Sequence, residues 1–205
     1  MTVMLAIPTY RRFDLLADCV WSALAGDVRP DHVIVIDNSG GACPAVPGAE
    51  IIPGRQPQSV ARAWNDAVAL SGGADLLLCN DDIVFAPDTI GAMLSLARRT
   101  PRAGIVSAIE GERFACYWLS QDAYRNVGPF DEQFAPAYFE DNDYARRLTL
   151  AGWLLAVAPS AVMHGGSRTL ASYTPAERRV HDAQFEANKA RYLRKWGGLP
   201  GAEIR

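Results

Sequence analysis

Two adjacent carboxylates, Asp81 and Asp82, follow directly on the apolar run Leu76-Leu77-Leu78-Cys79 and Asn80. Hard divalent ions take oxygen ligands, and magnesium or manganese is commonly held by one or two carboxylates plus substrate phosphates. The pair therefore suits a cation. It equally suits two plainer roles, Asp81 capping the helix that Pro87 begins or both residues lying in a loop. A second acidic cluster, Glu140-Asp141-Asn142-Asp143, can supply a general base, since a carboxylate within hydrogen-bond reach can take a hydroxyl proton. It can also be ordinary first-turn charge facing a helix dipole. Polar groups recur in Pro8-Thr9-Tyr10-Arg11-Arg12, in Asp37-Asn38-Ser39 and in the glycine-rich turn that holds His164 and Arg168.

The elements around these residues place most of them at strand ends. Thr2 to Ile7 reads as a first buried strand that ends at Pro8, with Asp14 as the N-cap of the helix that follows. His32 to Ile36 is a second strand, and a minimal strand is expected around Ile51-Ile52. Ser59 opens the next helix, with Val60, Trp64, Ala67 and Val68 inward. The run Leu76 to Cys79 is the central strand, and a helix starts from Pro87 with Ile90, Met93, Leu94 and Ala97 on one stripe. Strand and helix thus alternate over the first hundred residues, the pattern of a doubly wound parallel sheet. In such sheets the ligand crevice lies outside the carboxyl ends of the strands. The second half supplies two strands, Gly104 to Ile109 and Phe114 to Leu119, and a short helix from Ser120 to Gly128. A helix follows over Tyr138 to Leu148, then a strand over Leu154 to Ala158. Thr174-Pro175-Ala176-Glu177 has the spacing of a capping box opening a final helix that ends near Trp196.

The chain has 205 residues and a formal net charge of −3, which argues against nonspecific coating of nucleic acid. Four cysteines, Cys19, Cys43, Cys79 and Cys116, are widely spaced with no C-x-x-C pair, so neither a zinc site nor a disulfide framework is expected. The first residues do not read as a signal peptide and no stretch reads as a membrane span. The expectation is a cytoplasmic protein, in solution or peripheral to a membrane.

Taken in order, the motifs resemble the inverting family 2 glycosyltransferases with a GT-A fold. The resemblance is carried by Ile7-Pro8-Thr9-Tyr10, Val35-Ile36-Asp37-Asn38-Ser39, Ala63-Trp64-Asn65 and Asn80-Asp81-Asp82-Ile83. It continues through Val127-Gly128-Pro129-Phe130-Asp131-Glu132, Tyr138-Phe139-Glu140-Asp141-Asn142-Asp143, His164-Gly165-Gly166-Ser167 and Lys195-Trp196-Gly197. It implies an α/β GT-A domain over 1–197: a nucleotide-binding half over 1–100, an acceptor and catalytic half over 101–173, and a C-terminal helix over 174–197. Residues 198–205 form a tail.

The resemblance also implies roles. The donor is a nucleotide diphosphate sugar and the cofactor is Mn2+ or Mg2+, with Asp82 as metal ligand and His164 as a second metal or phosphate ligand. Asn80 and Asp81 bond the ribose or the metal's waters, although the family often has an acidic residue where Asn80 stands. Tyr10 stacks on the base, Asp37 accepts from its edge, and Pro8, Thr9 and Asn65 complete the nucleotide site. Arg11 stands where the family commonly has asparagine, and it pairs with phosphate; Arg168 touches the diphosphate. Asp141 is the general base and Glu140 holds an acceptor hydroxyl. Two rivals share parts of this pattern: a sugar-nucleotide pyrophosphorylase, which expects glycines after the first strand, and a non-catalytic sugar- or nucleotide-binding protein on a transferase fold. The acceptor is open among a glycan, a lipid-linked sugar and a modified nucleic acid. The basic, aromatic face of the last helix is a candidate surface for an anionic acceptor.

Overall fold

Strand β1 (Val3–Thr9) is buried along almost its whole length and pairs in parallel with β2 (His32–Asp37) on one side and β4 (Asp75–Cys79) on the other. The computed structural model describes residues 2–55, 59–158, 162–164 and 173–204. Beyond β2 lies β3 (Glu50–Pro53), also parallel. Beyond β4 comes β7 (Cys116–Leu119), antiparallel, followed by β6 (Ala103–Ser107) and β8 (Leu154–Val157). The sheet order is β3-β2-β1-β4-β7-β6-β8, mostly parallel with one reversed strand.

Alternation along β1 explains the layers. Val3, Leu5 and Ile7 face a core with Leu16, Cys19 and Val20 of α1 (Phe13–Leu24) and Ile90, Met93 and Leu94 of α3 (Thr89–Arg99). Met4 and Ala6 face the other way, onto Ala63, Trp64 and Ala67 of α2 (Val60–Leu70). On that second face α4 (Gln121–Val127) contributes Ala123, and α5 (Glu140–Leu150) contributes Tyr144 and Leu148. Successive strand side chains point to opposite faces, so a strand apolar at every position needs helices on both. Each fully buried leucine of β4, such as Leu77, contributes about 1.5–3 kcal/mol. This burial fixes the height at which Asn80, Asp81 and Asp82 emerge.

Several boundaries depart from the sequence reading. Pro8 lies inside β1, which runs on to Thr9 along β2, whereas pairing with β4 ends at Ala6 and Leu78. Alternate residues of a parallel strand direct their backbone groups to opposite neighbours, and Thr9 O accepts from Asn38 N on the β2 side. The N–H that proline lacks therefore falls where β4 has already ended. Asp14 is not the N-cap of α1. That position is Arg12, without a side-chain cap, and Asp14 instead bonds the Arg12 guanidinium. The N-cap of α3 is Asp88, so Asp81 caps nothing there. Helix α5 starts at Glu140 rather than Tyr138, because Tyr138 and Phe139 take positive φ values of 79° and 72°. A ribbon of β5 (Ile83–Val84) and β9 (Met163–His164), antiparallel, was not expected from the sequence. The capping box at Thr174 and Glu177 forms as read and opens α6 (Pro175–Trp196). Among the described residues no helix is long and apolar enough to cross a membrane.

Candidate active site

The strand order β2-β1-β4 sets Asp37, Thr9 and Asn80-Asp81-Asp82 side by side along the carboxyl edge of the sheet. The first contact between these tips is direct: Thr9 Oγ1 donates to Asp81 Oδ2 at 2.7 Å. Burial pushes the Asp81 carboxyl up to about 6. The Thr9 bond and Arg12 pull it down, and the charge of Asp82 adds to the rise. The arginine near both carboxylates is Arg12, whose own pKa is raised by its bond to Asp14 and by the charges of Asp14, Asp81 and Asp82, against a smaller burial cost. Arg11, with φ 62°, turns the other way, stacks over the Tyr10 ring at 4.9 Å and pairs with Glu177 at 3.2 Å. Arg11 and Arg12, adjacent in sequence, thus take different partners. Only the left-handed turn at Arg11 separates them.

The β5–β9 ribbon extends the same edge. Ile83 pairs with His164, so the backbone of His164 lies opposite the residue that follows Asp82. Arg168 lies outside the described residues. Next in the sheet after β4 is β7, running the other way, so its first residues sit at this same edge, with Cys79 opposite Cys116 and Leu78 opposite Tyr117. Tyr117 shares a core cluster with Tyr144 of α5, the helix whose first turn carries the second acidic cluster. The Tyr117 phenol is fully buried, and burial followed by the charges of Tyr144, Glu140 and Asp141 drives its pKa far up.

Glu140 is only 5 % exposed and its Oε2 has no hydrogen-bond partner among the described residues. Burial, then the neighbouring Asp141, lifts its pKa well above the usual carboxylate range. Burial also raises Asp141, although the Asn142 amide donates to its Oδ1 at 2.7 Å. A helix N-terminus on its own favours the ionised form of a carboxyl. Here desolvation outweighs the dipole, and a stronger base results.

The other predicted residues divide. Tyr10 is the most exposed of the nucleotide-site candidates with an aromatic ring, at 37 %. Asp37 is buried, and its carboxylate accepts from the Ser39 hydroxyl and from the amides of Ser39, Gly41 and Cys43. Burial would raise it, but these bonds win and hold it below the ordinary value, so in this structure it organises its own loop. Asn65 is not brought to the edge. Its amide donates to Phe130 O and Glu132 Oε1, and its oxygen accepts from Tyr124 OH and Phe130 N, which exhausts the side chain. Asp143 is also structural, bonded to Arg147, Lys195 and Trp196. On α6, Lys195 pairs with Asp131 and Asp143 and Arg191 bonds the exposed Gln133. A cavity of about 690 Å³ opens at the opposite end of the sheet, around Thr2, His32 and Asp75, and holds none of these residues.

The profile of one family, described as glycosyl transferase family 2, matches residues 4–144, which include every element just described from β1 to the acidic turn of α5. The chain belongs to glycosyl transferase family 2. Solved structures agree on the fold of this glycosyltransferase. A mannosyltransferase from Pyrobaculum calidifontis, in complex with GDP-Man and Mn2+, superposes with a TM-score of 0.60 at 16% identity, covering 98% of this chain and 77% of that one. Glucosyl-3-phosphoglycerate synthase from Mycobacterium tuberculosis, in complex with Mn2+, uridine-diphosphate and phosphoglyceric acid, gives 0.63 at 16% identity, covering 98% and 80%. These likenesses establish the GT-A fold. No curated protein sequence matches the chain.

The donor set of this glycosyltransferase fits a hard divalent ion. Two adjacent carboxylates, one with its pKa raised partly by the other, are relieved by a cation. Among the described residues no group of three His, Cys, Asp or Glu side chains forms a closed metal cage.

Proposed function

We propose that this protein is a metal-dependent inverting glycosyltransferase that moves a sugar from a nucleotide diphosphate sugar to an acceptor hydroxyl. The observation that carries the proposal is the acidic tip of β4, where Asp81 is bonded to Thr9 of β1 and the next residues form the ribbon that sets the His164 position opposite Ile83, in a chain matched over residues 4–144 by glycosyl transferase family 2. The complexes formed by the structural relatives, with GDP-Man or uridine-diphosphate and Mn2+, support the donor class and the cofactor.

In this reading Asp82 and His164 hold Mn2+ or Mg2+, and Asn80 and Asp81 contact its waters or the ribose. The bound cation supplies charge neutralisation of the diphosphate as it departs. Pro8, Thr9 and Tyr10 form the base-binding edge, and Asp37 orders its wall from beneath. Arg12 balances the acidic tip, while Arg11 and Arg168 are set for phosphate. Asp141 takes the acceptor hydroxyl's proton as that oxygen forms its bond to the anomeric carbon. The bond from that carbon to the diphosphate oxygen breaks, and its electron pair leaves with the nucleotide diphosphate. Burial, then the charge of Asp141, favours the protonated form of the neighbouring Glu140, whose carboxyl is assigned to an acceptor hydroxyl.

The test is a thermal-shift panel of UDP, GDP, ADP and CDP with and without Mn2+. A ligand at a hundred times its dissociation constant stabilises the folded state by about 2.7 kcal/mol. One or two of these nucleotides should raise the melting temperature only with Mn2+, and Asp82→Asn should abolish the rise. A panel in which no nucleotide acts through the metal contradicts the proposal.

A further inference from the structure

The acidic turn of α5 is held in an unfavourable shape. Tyr138 and Phe139 are consecutive non-glycine residues in the left-handed region, at φ 79° and 72°, each costing roughly 1–2 kcal/mol. Phe139 is the N-cap residue and makes no side-chain cap bond at the helix end that carries Glu140 and Asp141. The restraint comes from α6. His181, Phe185, Asn188, Tyr192 and Lys195 recur at alternating spacings of four and three, which places them on one face of that helix.

Each of these residues meets the turn. The ring nitrogen Nε2 of His181 shares a 2.9 Å hydrogen bond with Tyr138 OH. Asn188, 3 % exposed, points its amide at three carbonyls, Ala137 O at 2.9 Å, Ala135 O at 3.2 Å and Tyr138 O at 3.4 Å. Phe185 and Tyr192 pack on Phe139, with ring centroids 5.3 and 5.5 Å away. Lys195 Nζ reaches Asp143 Oδ1 at 2.7 Å, and Trp196 Nε1 donates to the same oxygen at 2.9 Å. Contacts therefore run from Ala135, three residues before the kink, to Asp143, four residues past it.

We propose that α6 is the splint of the acidic turn, with Asn188 as its principal positioning residue and His181 and Lys195 as its ends, holding Tyr138–Asp143 in the one shape that presents Asp141 to the acceptor. This rests on Asp141 being the base. None of the three residues touches substrate. They act through the backbone of the kink, and small misplacements of a reacting group are costly in rate.

The test uses the full chain with Asn188→Ala, with His181→Phe as a second variant should the first not fold, and with Glu186→Ala on the exposed face of α6 as control. Amide hydrogen exchange is read by mass spectrometry, alongside Mn2+-dependent release of UDP from UDP-glucose and GDP from GDP-mannose. In the first two variants exchange over 138–143 should rise, and kcat should fall, each by on the order of tenfold. Exchange in β1 and β4, and Mn2+-dependent nucleotide binding, should stay as in the parent, and the control should match it throughout. Unchanged exchange at 138–143, or an increase spread evenly over the sheet, overturns the splint. Asp141→Asn separates the two ideas: full turnover in that variant removes the base assignment, while the exchange pattern still decides the splint.

Discussion

Thr9 Oγ1 and Asp81 Oδ2 lie 2.7 Å apart, a hydrogen bond that ties the ends of β1 and β4 across 72 positions of sequence. It couples the two strand tips that the proposed function sets around the donor. A hydrogen bond to a charged acceptor is worth about 1.5–3 kcal/mol. Thr9→Val keeps the shape and removes the donor. Urea unfolding should show a loss in that range, and Mn2+-dependent nucleotide affinity should fall with it. Unaltered affinity would detach Thr9 from the site.

Glu140 gives a prediction about pH. Its folded pKa is raised above an unfolded value of about 4.3, so the stability it contributes is complete below that pH and is lost as pH rises through the folded value. Glu140→Gln cannot ionise. Its stability relative to the parent should therefore grow from pH 4 to pH 8 in urea titrations. The raised Asp141 acts with the same sign, so the variant flattens the parent's decline without abolishing it. Parallel curves for parent and variant would mean that the Glu140 carboxyl is not desolvated.

Asn65 tests the division between site and scaffold. With four hydrogen bonds inside the protein, Asn65→Ala should cost about 2–4 kcal/mol of stability. Nucleotide binding with Mn2+, measured calorimetrically well below the melting temperature, should be unchanged. A selective loss of nucleotide affinity at full stability would return Asn65 to the donor site.

The contrast between Asn65 and Asp82 shows what the sequence made legible. Apolar runs such as Leu76 to Cys79 announced the strands, and the tips followed from where those runs stop. The ribbon that brings the His164 position beside Asp82 was not legible, because two-residue strands such as Ile83-Val84 carry no periodicity. Nor was the choice between Arg11 and Arg12, which hangs on a single positive φ. The inserted antiparallel β7 was readable as a strand, but its place between β4 and β6 was not, since strand order depends on which apolar faces meet. Asn65 sat in a motif of the family pattern, yet its partners Tyr124, Phe130 and Glu132 are distant in sequence, so its structural task emerged only in three dimensions.

The central claim is that Asp141 removes the acceptor's proton at a site whose metal is held independently by Asp82. The direct measurement is the rate of the Asp141→Asn variant with the nucleotide sugar selected by the thermal-shift panel, beside calorimetric binding of the matching nucleotide and Mn2+. Loss of general-base catalysis should lower kcat by about 10²–10⁴-fold, with nucleotide and Mn2+ binding retained. A variant that turns over at the parent's rate would contradict the account.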